Sequence, residues 1–229
     1  MKCKSSVPSW TLLLLSALLL LPLAQLAAQD QVKAFKESLA KNQQQMRQYQ
    51  WIETTTISMK GEVKSESKKS CFYGPDGQVV KQEISATQAQ MPGGLRGKAA
   101  AKKKGEITDY MKQAVAMVKE YVPPDSQRIQ AAKDAGNLSL TPVGGGITLT
   151  IRSYLKPGDV LAISLMSGMA IQKVNINTYL DTQKDAVTLA VDFASLANGL
   201  NYPGRIVLDA PAKNMQVVIQ NSDYRMVQQ

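Results

Sequence analysis

Histidine is absent from all 229 residues. That removes the commonest general base and the commonest metal ligand. It also excludes Ser-His-Asp and Cys-His nucleophile arrangements within one chain. Cysteine is nearly absent, with Cys3 and Cys71 alone, too few for a cysteine-built zinc site. No metal, no cofactor and no enzymatic activity are expected. Aromatic residues make up only 6% of the chain, and none interleaves the basic stretch at 96–104, so nucleic-acid bases would find no stacking platform there. Gly144-Gly145-Gly146 lacks the spacing and the Lys-Ser/Thr of a phosphate-binding loop and reads as a flexible connection. Past Leu23 no apolar run approaches the roughly 20 residues that a membrane-spanning helix needs.

The first residues read as a leader. Lys2 and Lys4 precede an apolar run from Trp10 to Leu23, and small residues follow at Ala24, Ala27 and Ala28. A basic start, a short apolar stretch and a small-residue end are the parts of a cleavable secretory signal. The expected organisation is a signal peptide over 1–28 and one domain over 29–229. Its location is exported, periplasmic or secreted, and soluble after cleavage. Cys71 would then be the lone cysteine, so no internal disulfide forms. It reads as a small buried hydrophobe, although Lys68 and Lys69 beside it could favour a thiolate. Without Lys2 and Lys4, the 27 basic residues become 25 against 18 acidic ones, a net of +7. A cationic exported protein can associate with anionic envelope surfaces.

Residues 30–48 predict a helix, with Asp30 as N-cap and Val32, Phe35, Leu39 and Met46 on one face. The period then changes to alternation from Tyr49 to Met59, which predicts a strand. A turn at Lys60-Gly61 would make residues whose numbers sum to 121 face each other. That register pairs Glu53 with Lys68 and Tyr49 with Phe72 in a hairpin. Glu53, Glu62 and Glu66 share this hairpin. Carboxylates about 5–9 Å apart can hydrolyse glycosides, but the neighbouring lysines favour ordinary cross-strand ion pairs. Gly74-Pro75-Asp76-Gly77 predicts the next turn, with a third strand over 78–85.

Residues 88–136 predict a loop and helical insertion. The loop covers 88–105 and holds a basic cluster, Arg96, Lys98, Lys102, Lys103 and Lys104, suited to an anionic surface or simply solvated. A helix begins near Glu106, with Ile107, Met111, Ala114, Val115, Val118 and Val122 as its stripe, widened by Tyr110, Met117 and Tyr121. Pro123-Pro124 stops it, and a short helix follows to Gly136. From Asn137 the chain alternates as β to its end. Turns are expected at Lys156–Asp159, at Ser167-Gly168 and over 181–185, and a longer loop is bounded by Asn198-Gly199 and Pro203-Gly204. Nine to ten strands with segregated helices make an α+β fold. The sheet would be long, curved, antiparallel and half-barrel-like. The N-terminal helix precedes it and the insertion covers its concave face.

The order of a leading helix, early hairpins, a helical insertion and a closing meander resembles the LolA-like fold of periplasmic lipoprotein carriers. The likeness is strongest at Val174-Asn175-Ile176-Asn177-Thr178-Tyr179-Leu180-Asp181, then Val187 to Phe193, then Asn201-Tyr202-Pro203. The chain also resembles exported bacterial proteins of unassigned function. The carriers' early Gly/Pro/Arg/Trp-type strand signatures have no counterpart, so none of their binding residues carries over. The resemblance implies an apolar cavity for a lipid or acylated ligand.

The expected function is therefore a non-enzymatic envelope protein that binds an amphiphile. Trp51, Met111, Met117 and Tyr121 are the candidate cavity residues, because methionine suits adaptable apolar surfaces. The alternative is an envelope scaffold or interaction protein with a filled core, in which the same helix stripe is plain packing and the partner is an envelope protein.

Overall fold

The computed structural model describes residues 40–88, 94–122, 124–166 and 170–227. The expected signal peptide, the start of the leading helix and the Ser167-Gly168 turn lie outside the described residues. Contacts divide the chain into Met1–Gln44 and Gln45–Gln229. Of the first unit, residues 40–44 are described, and they are helical. The second unit holds every strand of the sheet.

Its described residues form ten strands in one open antiparallel sheet, in the order β3-β2-β1-β10-β9-β8-β7-β6-β5-β4. They are β1 (Tyr49–Met59), β2 (Glu62–Tyr73), β3 (Val79–Gln88), β4 (Leu138–Val143), β5 (Gly146–Arg152), β6 (Val160–Met166), β7 (Ile171–Tyr179), β8 (Ala186–Ser195), β9 (Asn201–Ala210) and β10 (Met215–Met226). Helices α1 (Gly94–Lys119) and α2 (Ser126–Asp134) enter between β3 and β4. The fold is α+β. The first strand pairs with the last, from Tyr49 opposite Met226 to Met59 opposite Met215, a neighbour relation that the alternation pattern does not contain.

Alternation becomes a core because the strands are in register. Leu138, Ile151, Leu161, Ile176, Leu189, Leu208, Val217 and Ile57 stand opposite one another in succession, an unbroken apolar row across eight strands. Leu149, Ile163, Val174, Val191, Ile206 and Ile219 form a second row beside it. The first row loses its apolar character in β2, where Ser65 faces Ile57, and the second already in β1, where Thr55 faces Ile219.

Four expectations need correction. The β1–β2 hairpin turns at Lys60 and Gly61, both at positive φ (52° and 78°), as a two-residue primed turn requires. A bulge at Ile57/Ser58 then leaves Lys64 unopposed and shifts the register by one. Glu53 therefore faces Lys69, and Phe72 faces Gln50. Second, the loop expected over 88–105 is helical from Gly94, because Ala99 to Lys104 are all strong helix formers. Third, Gly144 (φ 50°) and Gly145 (φ 83°) form a tight hairpin turn between β4 and β5, not a flexible connection. Fourth, Pro203-Gly204 lies inside β9. Pro203 sits beyond the end of the β9–β10 ladder and beside a bulge at Asp192/Phe193, a place where a missing backbone donor is tolerated.

Candidate functional site

Helix α1 carries two apolar stripes side by side. Tyr110, Ala114, Met117 and Tyr121, at spacings of three and four residues, are buried and join the sheet's first apolar row in one core. The helix ends at Lys119, and Glu120 and Tyr121 follow with short i→i−3 bonds to Met117 and Val118. The second stripe is Met111, Val115 and Lys119, again one turn apart. Here the helix stands off the sheet. A cleft of about 190 Å³ separates the two, walled by Met111, Val115, Val118 and Lys119. Its floor is Leu189, Leu208 and Val217 from the first row, with Ile206 and Ile219 from the second. Among the described residues that line it, Lys119 alone has a polar side chain. Ala114 is fully buried while its chain neighbour Val115 is 41% exposed, so the helix is locked along one line and open along the next.

The lock is polar. Asp159, only 1% exposed, accepts from the Tyr121 hydroxyl at 2.6 Å and from the backbone N–H groups of Tyr154, Leu155 and Lys156 at 2.6, 3.0 and 3.0 Å. Four donors satisfy this buried carboxylate, the condition under which burying a charge is tolerable. The Tyr121 hydroxyl also lies 2.8 Å from Thr178 Oγ1. Lys156 Nζ donates to the carbonyls of Tyr179 and Leu180, sits over the Tyr179 ring at 4.6 Å, and reaches Met117 Sδ at 3.6 Å. At the other end of the packed stripe, Tyr110 donates to Asp185 at 3.0 Å under Lys213, whose Nζ lies 5.1 Å from the ring centre. Burial first, and then the hydrogen bonds to Asp159 and Asp185, push the phenols of Tyr121 and Tyr110 well above the ordinary tyrosine range.

A different cluster occupies the β1–β2–β10 end. Trp51 stacks on Tyr224 at 5.6 Å and tilts against Tyr73 at 5.5 Å, and Tyr202 meets Tyr224 at 4.2 Å. Beside them Glu53 is buried and held by Lys81 at 2.5 and 2.8 Å. Glu62 pairs with Lys64. The carboxylates singled out on this hairpin thus include two in lysine ion pairs. Cys71 is completely buried, and burial pushes its thiol up, with Glu53 adding to the effect. Burial also raises Tyr224 and Tyr73. Trp51 borders a smaller hollow of about 100 Å³ shared with Gln50, Ile52, Ser70, Asp223 and Arg225.

The four residues singled out for a cavity therefore fall in three places. Met111 lines the cleft, Met117 and Tyr121 belong to the packed stripe, and Trp51 lies in the aromatic cluster. Sequence reasoning missed Lys119 and the floor. Lys119 could have been found as the residue that breaks an apolar i, i+4, i+8 series. The floor could not, since it exists only once β8, β9 and β10 are in register. Arg96, Lys98, Lys102, Lys103 and Lys104 all lie on α1, on the N-terminal side of the cleft residues, and Lys102 is exposed. Among the described residues there is no group of three metal-ligating side chains, and no helix long and apolar enough to cross a membrane.

No family model matches the chain, and no curated protein matches it. Among solved structures, the crystal structure of a DUF1329 family protein from Desulfovibrio piger matches with a TM-score of 0.41 and 11% identity, over 85% of this chain and 92% of that one. A likeness of that extent carries no argument about activity.

Proposed function

We propose that this chain is an exported, non-enzymatic envelope protein that holds the acyl part of an amphiphile between α1 and the β8–β10 face. The observation that carries this is the cleft, whose floor is wholly apolar and whose helix wall is partly open. At roughly 30 Å³ per water-sized group, about 190 Å³ gives room for about six methylenes. Their burial is worth about 5 kcal/mol at roughly 0.8 kcal/mol each, enough for a dissociation constant somewhat below 1 mM. The cleft is smaller than the roughly 300–1,000 Å³ of a drug-sized ligand site, which favours a single chain over a bulky lipid. The resemblance in element order to the LolA-like fold supports the same reading, with α1 as the cover of a concave sheet face. The basic part of α1 would hold the protein against anionic lipid, at about 1 kcal/mol per Lys or Arg near such a surface.

A second reading has its own observation. Leu140 on edge strand β4 and Ile147 on its neighbour β5 are 63% and 44% exposed. An apolar edge of that kind suits strand addition by a protein partner. The two readings separate on organic extraction and mass spectrometry of protein purified from its native envelope without detergent. Stoichiometric acyl chain that disappears in Val115→Trp supports the carrier. Folded protein that carries nothing and takes up no added lipid sinks it and favours the interaction protein.

A further inference from the structure

The cleft is apolar except at one point, and that point is a charge. Met111, Val115 and Lys119 stand in line along α1, so a chain lying against the first two ends beside the third. Lys119 is exposed, and among the described residues no carboxylate pairs with it. Its neighbours differ. Lys112 is paired with Asp109, Lys156 is held by two carbonyls, and Lys213 rests on Tyr110. We propose that the cleft selects an anionic single-chain amphiphile, with Lys119 receiving its carboxylate or phosphate head while Met111 and Val115 flank its chain. This rests on the cleft being a ligand site.

A lysine in the last turn of a helix has an ordinary structural reason, since its ammonium offsets the negative end of the helix dipole. That reason does not require it to border an apolar cleft. It also sharpens the test. The bare end of α1 carries about half a negative charge and would repel an anionic head, and the full charge of Lys119 reverses this. Removing Lys119 should therefore turn a preference for anions into a preference for neutral heads, not merely weaken binding.

The experiment uses the full chain and displacement of the neutral probe N-phenyl-1-naphthylamine by dodecanol, dodecanoate and dodecyl phosphate, at a pH where both acids are ionised. The wild type should prefer the two anions over dodecanol by about fivefold, the upper range for a solvent-exposed ion pair. The two anions compared with each other distinguish a carboxylate from a phosphate head. Lys119→Met keeps the aliphatic stem. It should drop both anions below dodecanol, and Lys119→Glu should exclude the anions. A preference for anions that persists in Lys119→Met, or equal binding of all three by the wild type, overturns the inference while the cleft stands as a ligand site. Displacement by none of the three overturns the cleft reading and this inference with it.

Discussion

Ala114 and Val115 are adjacent in the chain, yet they belong to different environments. Ala114 lies on the stripe that Tyr110, Met117 and Tyr121 complete. Both ends of that stripe are fastened by buried or half-buried phenol–carboxylate bonds, Tyr110 to Asp185 and Tyr121 to Asp159. Val115 lies on the stripe that Met111 and Lys119 complete; it is 41% exposed beside the cleft, while Met111 is partly buried against the core. A helix anchored along one line can leave the neighbouring line open without losing its place. Polar anchors thus hold α1 along one stripe, while Val115 on the next stays open beside the cleft.

The largest expected effect comes from setting the two neighbours against each other. Ala114→Asp places an unpaired charge in a fully buried position and should cost about 5 kcal/mol, enough to unfold a marginal domain. Val115→Asp should leave the urea midpoint almost unmoved while abolishing uptake of acyl chains. If both variants unfold, the open stripe is core after all. The same experiment at Met117 would be ambiguous, because Lys156 lies within reach of an acid placed there. Next, Asp159→Ala orphans three backbone donors and leaves the Tyr121 hydroxyl with Thr178 alone, and should cost about 4 kcal/mol in urea denaturation.

The third effect is a pH dependence. The phenols of Tyr110, Tyr121 and Tyr224 have their pKa values raised by burial in the folded state. The neutral phenol is what the fold accommodates, so this stability is complete below the ordinary tyrosine value of 10.0 and is lost as pH climbs past it. Alkaline unfolding should begin near that pH and be shallower in Tyr121→Phe, followed by far-ultraviolet circular dichroism. The smallest effect concerns the basic part of the helix. Lys102→Glu should weaken sedimentation with phosphatidylserine vesicles by at least about fivefold, corresponding to about 1 kcal/mol per basic residue. Binding to neutral vesicles should not change.

Period-two alternation made the strands legible from Leu138 onward, most clearly in β6, β7 and β8, where buried residues alternate with more exposed ones. The stripe over 106–122 was legible for the same reason at the helical period. What stayed hidden depends on relations between segments. The one-residue shift at Ile57/Ser58 cannot be seen from a turn and a charge pair, since Lys68 and Lys69 offer equally good partners for Glu53. The helical start at Gly94 was obscured by three nearby glycines, whose cost the run from Ala99 to Lys104 outweighs. Within α1, periodicity found one broad stripe of Met, Tyr and Val and could not divide it. Tyr121 and Met117 belong to the anchored half because Asp159, Thr178 and Lys156 arrive from β-hairpins more than thirty residues away.

The pairing of β1 with β10 has a consequence for synthesis. Until residues 215–226 leave the ribosome, β1 and β9 both present bare backbone edges in the middle of the future sheet. The last described strand, β10, is the one that joins the β1–β3 hairpins to the β4–β9 meander. A nascent chain that stops short of Met215 is two separate sheets, each with an open edge beside apolar residues. Assembly of the sheet therefore waits for residues 215–226, and a holding chaperone would have its longest work on this chain before they emerge.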